Sequence, residues 1–195
     1  KKVIIKDCLI KNNTAISNGG GLFNLNDSLK FLHYVDYSNE INDTILTIFD
    51  NNFAQNGGGI YQQNYDILLE GIILKKNTAE ENGGGIYSEN SSNQFNNLIL
   101  LNNTAEENGG GIYSENSNLE IFHLTMFDNL SNSGGVIHAN NNSNITLYNT
   151  ILWNNDNSEM LSSVVDTIST IYATKPNENI EKLLLYILYY FDWIF

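Results

Sequence analysis

The chain has 195 residues, a formal charge of −13 and a pI near 4.4, and its nine basic residues are all lysine. That balance excludes nucleic acid as a partner, because phosphate recognition needs clustered positive charge, and the length admits one domain with a tail. Apolar residues make up 42% and Pro occurs once, so a folded chain is expected; the compositional oddity is the abundance of asparagine.

The predicted elements recur. One Asn per repeat can be placed at Asn13, Asn51, Asn77, Asn103, Asn129 and Asn155, with successive separations of 38, 26, 26, 26 and 26. The period is therefore 26, with an insertion near residues 33–44. A fixed period in this range is the signature of a solenoid or array. Three residues before each anchor stand Ile10, Ile48, Leu74, Leu100, Met126 and Leu152. Five before stand Cys8, Leu46, Ile72, Leu98, Leu124 and Thr150. Further back, Ile5, Asp43, Leu69, Phe95, Ile121 and Leu147 precede the anchor by eight, and Val3, Ile41, Ile67, Asn93, Leu119 and Ile145 by ten. Spacings of two, interrupted by one of three, predict two short alternating strands with a bend between them.

After the anchor comes a small or apolar residue (Ala15, Phe53, Ala79, Ala105, Ser131), then a glycine run beginning at Gly19, Gly57, Gly83, Gly109 or Gly134. Three residues later stand Leu22, Ile60, Ile86, Ile112 and Ile137, predicting a third strand entered through a glycine turn. Three strands in each period leave no room for helices. Successive copies are expected to stack as coils of a parallel β-solenoid about 4.8 Å apart, with an inward Asn ladder bonding its own amides. Six such coils are expected over residues 1–158.

The repeat fades after Asn157. "SSVVDTISTIYAT" reads as a partial coil, Pro176 as a break, and "IEKLLLYILYYFDWIF" as an apolar run too short to span a bilayer. Residues 159–195 are thus read as a partial coil followed by either a cap over the last coil or a truncated membrane segment. The opening at Lys1, with no Met and no signal-like run, reads as part of a longer protein.

The alternation of Gly83-Gly84-Gly85-Ile86, Gly109-Gly110-Gly111-Ile112 and Gly134-Gly135-Val136-Ile137 with Leu74 to Asn77, Leu100 to Asn103 and Met126 to Asn129 resembles the repeats of chlamydial polymorphic outer membrane proteins. These are autotransporter-like surface proteins, and the pattern is similar more broadly to right-handed, pectin-lyase-like parallel β-helices. The chain departs from the family pattern in using Gly where Ala is usual and an aliphatic residue where Phe precedes the Asn. "SNITLYNTILWNN" likewise looks like a final coil of bacterial surface β-helix proteins. The resemblance implies a right-handed helix that is secreted or displayed at the cell surface, outer membrane-associated in a bacterium, serving as a structural stalk or adhesin-type passenger. Its partner would be a host-surface protein or a glycan, and the helix itself would not cross a membrane. Enzymes of the same fold rely on an Arg, either as base beside calcium-binding Asp residues or with Lys beside an Asp cluster. This chain has no Arg, so it is read as non-enzymatic; the alternative is a fragment of a carbohydrate-active β-helix protein.

No catalytic, cofactor-binding or metal-binding residue is assigned, and no cofactor is expected. Cys8 is alone, and with His33, His123 and His138 it makes no metal-ligand spacing. Two features exceed what a scaffold requires. In-register stacking would place Glu80 over Glu106, Glu81 over Glu107 and Glu89 over Glu115, like charges that a cation such as Ca²⁺ would relieve, although solvated turn residues are the favoured reading. Tyr61, Tyr87 and Tyr113, between Phe23 and His138, alternate outward and are expected to form an exposed aromatic strip for stacking on sugars or a partner, with simple sheet stabilisation as the favoured reading. The N-x-S/T triplets, among them those at Asn90 and Asn102, are expected by chance in a chain this rich in Asn and Ser.

Overall fold

A computed structural model describes residues 3–25, 29–31 and 46–155, and the backbone of Val165–Ala173. These residues form a parallel β-solenoid whose strands make sheets of nine, five and four strands. The largest sheet holds the long strands Ile67–Lys75, Ser92–Leu101, Asn118–Phe127 and Asn144–Trp153. The five-stranded sheet holds Leu22–Leu25, Ile60–Gln63, Ile86–Glu89, Ile112–Glu115 and Ile137–Asn140, and so marks about five turns where six are expected from the anchors. The sixth anchor, Asn155, has no described glycine corner after it, and Val165–Ala173 then adds a further strand beside Asn144–Trp153. Two-residue strands such as Thr78–Ala79 and Thr104–Ala105 make the third sheet.

The two short strands expected before each anchor are one continuous strand. The bend between them falls on Gly71, Asn97, His123 and Asn149, all at positive φ. Past it, alternation resumes with the same face inward, so Phe95, Leu98 and Leu100, with their equivalents, fill one continuous core. A second positive-φ position lies immediately before each ladder residue (Asn12, Asn51, Lys76, Asn102, Asp128, Asn154), a third at the first glycine of each run, and a fourth at Asn64, Asn90, Asn116 and Asn141. Asn reaches the left-handed region more readily than other non-glycine residues because its short amide bonds the local backbone. Much of the asparagine content therefore turns corners rather than building the ladder.

The second anchor is Asn52, not Asn51. Asn52 is buried and donates its backbone N–H and Nδ2 to Asn77 Oδ1, both at 3.0 Å, whereas Asn51 is exposed with φ 55. The preceding columns shift accordingly: Phe49 pairs with Leu74 and Thr47 with Ile72, so these, and not Ile48 and Leu46, occupy the inward positions. Ala54, not Phe53, takes the small-residue position beside Ala79. Leu29 and Phe31 pair with Ile67 and Leu69, filling the places assigned to Ile41 and Asp43, which lie outside the described residues. The insertion thus interrupts one strand position between Phe31 and Thr47, and residues 33–44 themselves are not described. The slip of one arises because the corner from Asn52 to Gly57 is one residue shorter than that from Asn77 to Gly83. With the register corrected, Phe49 stands three residues before its ladder Asn, where the family pattern has Phe.

The ladder runs through Asn13, Asn52, Asn77, Asn103, Asn129 and Asn155. Asn103 Oδ1 accepts the backbone N–H and Nδ2 of Asn77 at 3.1 and 3.0 Å; Asn103 Nδ2 donates to Asn129 Oδ1 and to Leu74 O, both at 2.9 Å. Both amide protons and both oxygen lone pairs are used, which is what a fully buried amide requires. Asp offers no such donors and Leu no polar atoms, so Asn is the residue this position selects.

Candidate functional site

The side chains that a scaffold does not demand gather on the outer face of the five-stranded sheet. In Ile86–Glu89 and Ile112–Glu115, Ile and Ser point inward and Tyr and Glu outward, and the two strands pair residue for residue. Tyr61, Tyr87 and Tyr113 stack with ring centroids 4.7 and 4.8 Å apart, continued by Phe23 on one side and His138 on the other at 5.4 Å. That spacing is the layer repeat itself, so each ring covers the next.

The expected exposed strip is not what forms. Tyr61, Tyr87 and Tyr113 are only 5%, 7% and 5% exposed, and Phe23, at the start of the row, is 47% exposed. The rings lose solvent on their faces to their neighbours. One flank is lost to the glycine corner: a Cβ at Gly83 would lie 2.9 Å from Tyr87 Cβ, so the absence of a side chain there lets the corner close on the ring. The tyrosines are a second small core outside the first.

Their hydroxyls are spent as well. Tyr61 donates to Glu89 and Tyr87 to Glu115, while Asn140 Nδ2 donates to Tyr113 at 2.9 Å. Burial, reinforced by the carboxylates of Glu89 and Glu115, holds the Tyr61 and Tyr87 phenols well above their ordinary range; burial raises Tyr113 too. His138 Nδ1 lies 2.6 Å from Gly134 O, an acceptor, so that nitrogen carries the proton.

The stacked glutamates find neutral donors. Glu89 also accepts Gln63 Nε2 at 2.9 Å, Glu115 accepts Asn141 Nδ2 at 2.8 Å, and Glu81 accepts Gln55 Nε2 at 2.7 Å and Asn56 Nδ2 at 3.1 Å. Glu80, Glu106 and Glu107 are exposed. Among the described residues no group of three or more His, Cys, Asp or Glu side chains is arranged to hold a metal ion. Amide columns replace the cation that like-charge stacking invites, and a Gln or Asn one coil away is the sequence signal for it.

Two features escape the repeat columns. Phe122 and Tyr148 stack on the outer face of the long sheet, centroids 4.4 Å apart and rings 5° from parallel; their separation by one full period is the signal. Asp50, nearly buried on the same face, lies 3.0 Å from Lys11 Nζ and 3.7 Å from Lys75 Nζ, one lysine in each neighbouring coil.

Three segments, residues 46–63, 71–89 and 97–115, match the Chlamydia polymorphic membrane protein repeat. Each begins in or beside the second half of a long strand, passes the ladder Asn and the glycine corner, and ends with the tyrosine-bearing strand. No curated protein and no solved structure matches the chain. The chain carries polymorphic membrane protein repeats, and it carries them as consecutive coils of a parallel β-solenoid.

Proposed function

We propose that this chain is a non-enzymatic, surface-displayed solenoid segment, acting as a stalk or adhesin-type passenger. The repeat match supports it, since the three matched segments are repeats of a membrane protein family and make up the central coils. The observation that carries the reading is the way the repeated polar side chains are used. Asn, Tyr, Gln and Glu of successive coils bond one another along the stack, giving a stiff body whose stability is a sum of nearest-neighbour terms. Binding to a host-surface protein or glycan falls to residues outside the buried columns, among them the exposed Asn corners and Glu106. The test is labelling of intact cells with antibody to the solenoid: labelling before permeabilisation is expected, and labelling only after it overturns the reading.

A further inference from the structure

Past the left-handed bend, the outer face of the long sheet carries an aliphatic column. Ile48, Ile73, Ile99, Thr125 and Ile151 pair in register through successive coils. Beside them, in the next outward column, stand Leu101, Phe127 and Trp153. None belongs to the interior core cluster.

An outward residue on a solvated sheet keeps part of its surface, yet Ile99 and Thr125 are each 6% exposed, whereas Leu9, at the head of the same column, is 64% exposed. Trp153 Nε1 has neither solvent nor a hydrogen-bond partner. The face is therefore dry in its middle and late coils and wet at the first.

One segment of the chain has the composition and length to keep it so. In residues 180–195, Ile180, Leu183, Leu184, Ile187, Leu188 and Phe191 recur at helical spacing and share one stripe. At a helical rise of about 1.5 Å per residue the sixteen residues reach about 24 Å, and the column from Ile48 to Ile151, four layer steps, is about 19 Å long. Ala173 pairs with Trp153, so the last strand ends beside the seam, with six residues before Ile180.

We infer that residues 180–195 lie lengthwise along this outer seam, apolar stripe inward, rather than over the end of the last coil or in a bilayer. Such cover removes an apolar face that a surface-displayed solenoid would otherwise offer to other chains.

The test uses the full chain with Trp193→Phe, leaving Trp153 as the sole tryptophan, and reads acrylamide quenching and emission wavelength. The parent is expected to be poorly quenched. Leu184→Asp with Leu188→Asp, on the stripe, should raise quenching several-fold and shift emission to the red, with the far-ultraviolet strand signal retained; Tyr186→Asp, off the stripe, should not. Free quenching in the parent overturns the proposal even should the double variant fail to fold. So does an equal response from Tyr186→Asp, or no response from the double variant. Quenching that rises on dilution would assign the seam to a second copy, and quenching that changes on adding anionic lipid vesicles would assign the run to a membrane; either result overturns the proposal.

Discussion

The Asn ladder and the tyrosine stack are both columns of like side chains repeated at the layer spacing, one inside the solenoid and one outside. The ladder is held by polar complementarity: Asn77, Asn103 and Asn129 spend every donor and acceptor on the coils above and below. The tyrosines are held by packing, ring on ring, with one hydroxyl bond each. The inner column tolerates one residue type because any change leaves a buried polar group unpaired. The outer one accepts Phe23 and His138 at its ends, because face-to-face area is what it needs.

Substitutions break the two columns to different depths. Asn103→Asp removes both amide donors and places a carboxylate in the core, and should cost about 4 kcal/mol in denaturant unfolding. Burial raises the new carboxyl above its unfolded value of about 3.9, so the deficit should be smallest below about pH 4 and grow as pH rises to the folded pKa. A deficit independent of pH would argue against a buried site.

Gly84→Ala separates the corner from both columns. A Cβ there would run into the carbonyl oxygens of Gly110 and Thr104, backbone atoms of the next coil that cannot step aside. A loss of about 2–3 kcal/mol is expected by thermal or denaturant melting, and a neutral outcome would mean that the coils are not packed at this spacing.

Tyr87→Phe keeps the ring and removes the hydroxyl bond to Glu115, for an expected loss of about 1 kcal/mol. The stack also sets an alkaline limit. The folded state holds Tyr61, Tyr87 and Tyr113 above the ordinary 10.0, so their stabilisation is complete below pH 10.0 and is lost as pH rises towards the folded values. Phenolate absorbance from these three should therefore appear together with loss of the strand signal; ionisation well before unfolding would show that the stack is open to solvent. The smallest effect belongs to Lys75→Ala, whose side chain is 36% exposed and leaves Lys11 still beside Asp50. A loss of about 0.5 kcal/mol, shrinking with added salt, is expected from melting curves.

The solenoid is legible in the sequence because its core obeys a single period. Ile86 and Ile112, like Leu74 and Leu100, recur once per period, and the inward Asn follows from the same count. Asn51 and Asn52 are harder to separate because they are adjacent, and only the shortened corner before Gly57 tells them apart. For the tyrosines, alternation gives the correct face and the wrong exposure. Alternation fixes direction, whereas burial depends on what lies one layer away and on a glycine corner four residues back. The left-handed role of Asn90, Asn97 and Asn102 is hidden for a related reason: the amide that makes a ladder inside also makes a turn outside, and composition cannot divide the two uses. That Glu81 is answered by Gln55 and Asn56 needs the stack as well as the strand.

The central claim is that identical residues one period apart sit directly over one another and share their amides. Hydrogen exchange of the Asn103 side-chain amide, followed by NMR in the intact chain, tests it most directly. Both Nδ2 protons should exchange as slowly as the backbone N–H of Ile112 in the neighbouring strand, because both are bonded and buried. Exchange at the rate of an exposed amide such as that of Asn102 would contradict the ladder and the register built on it.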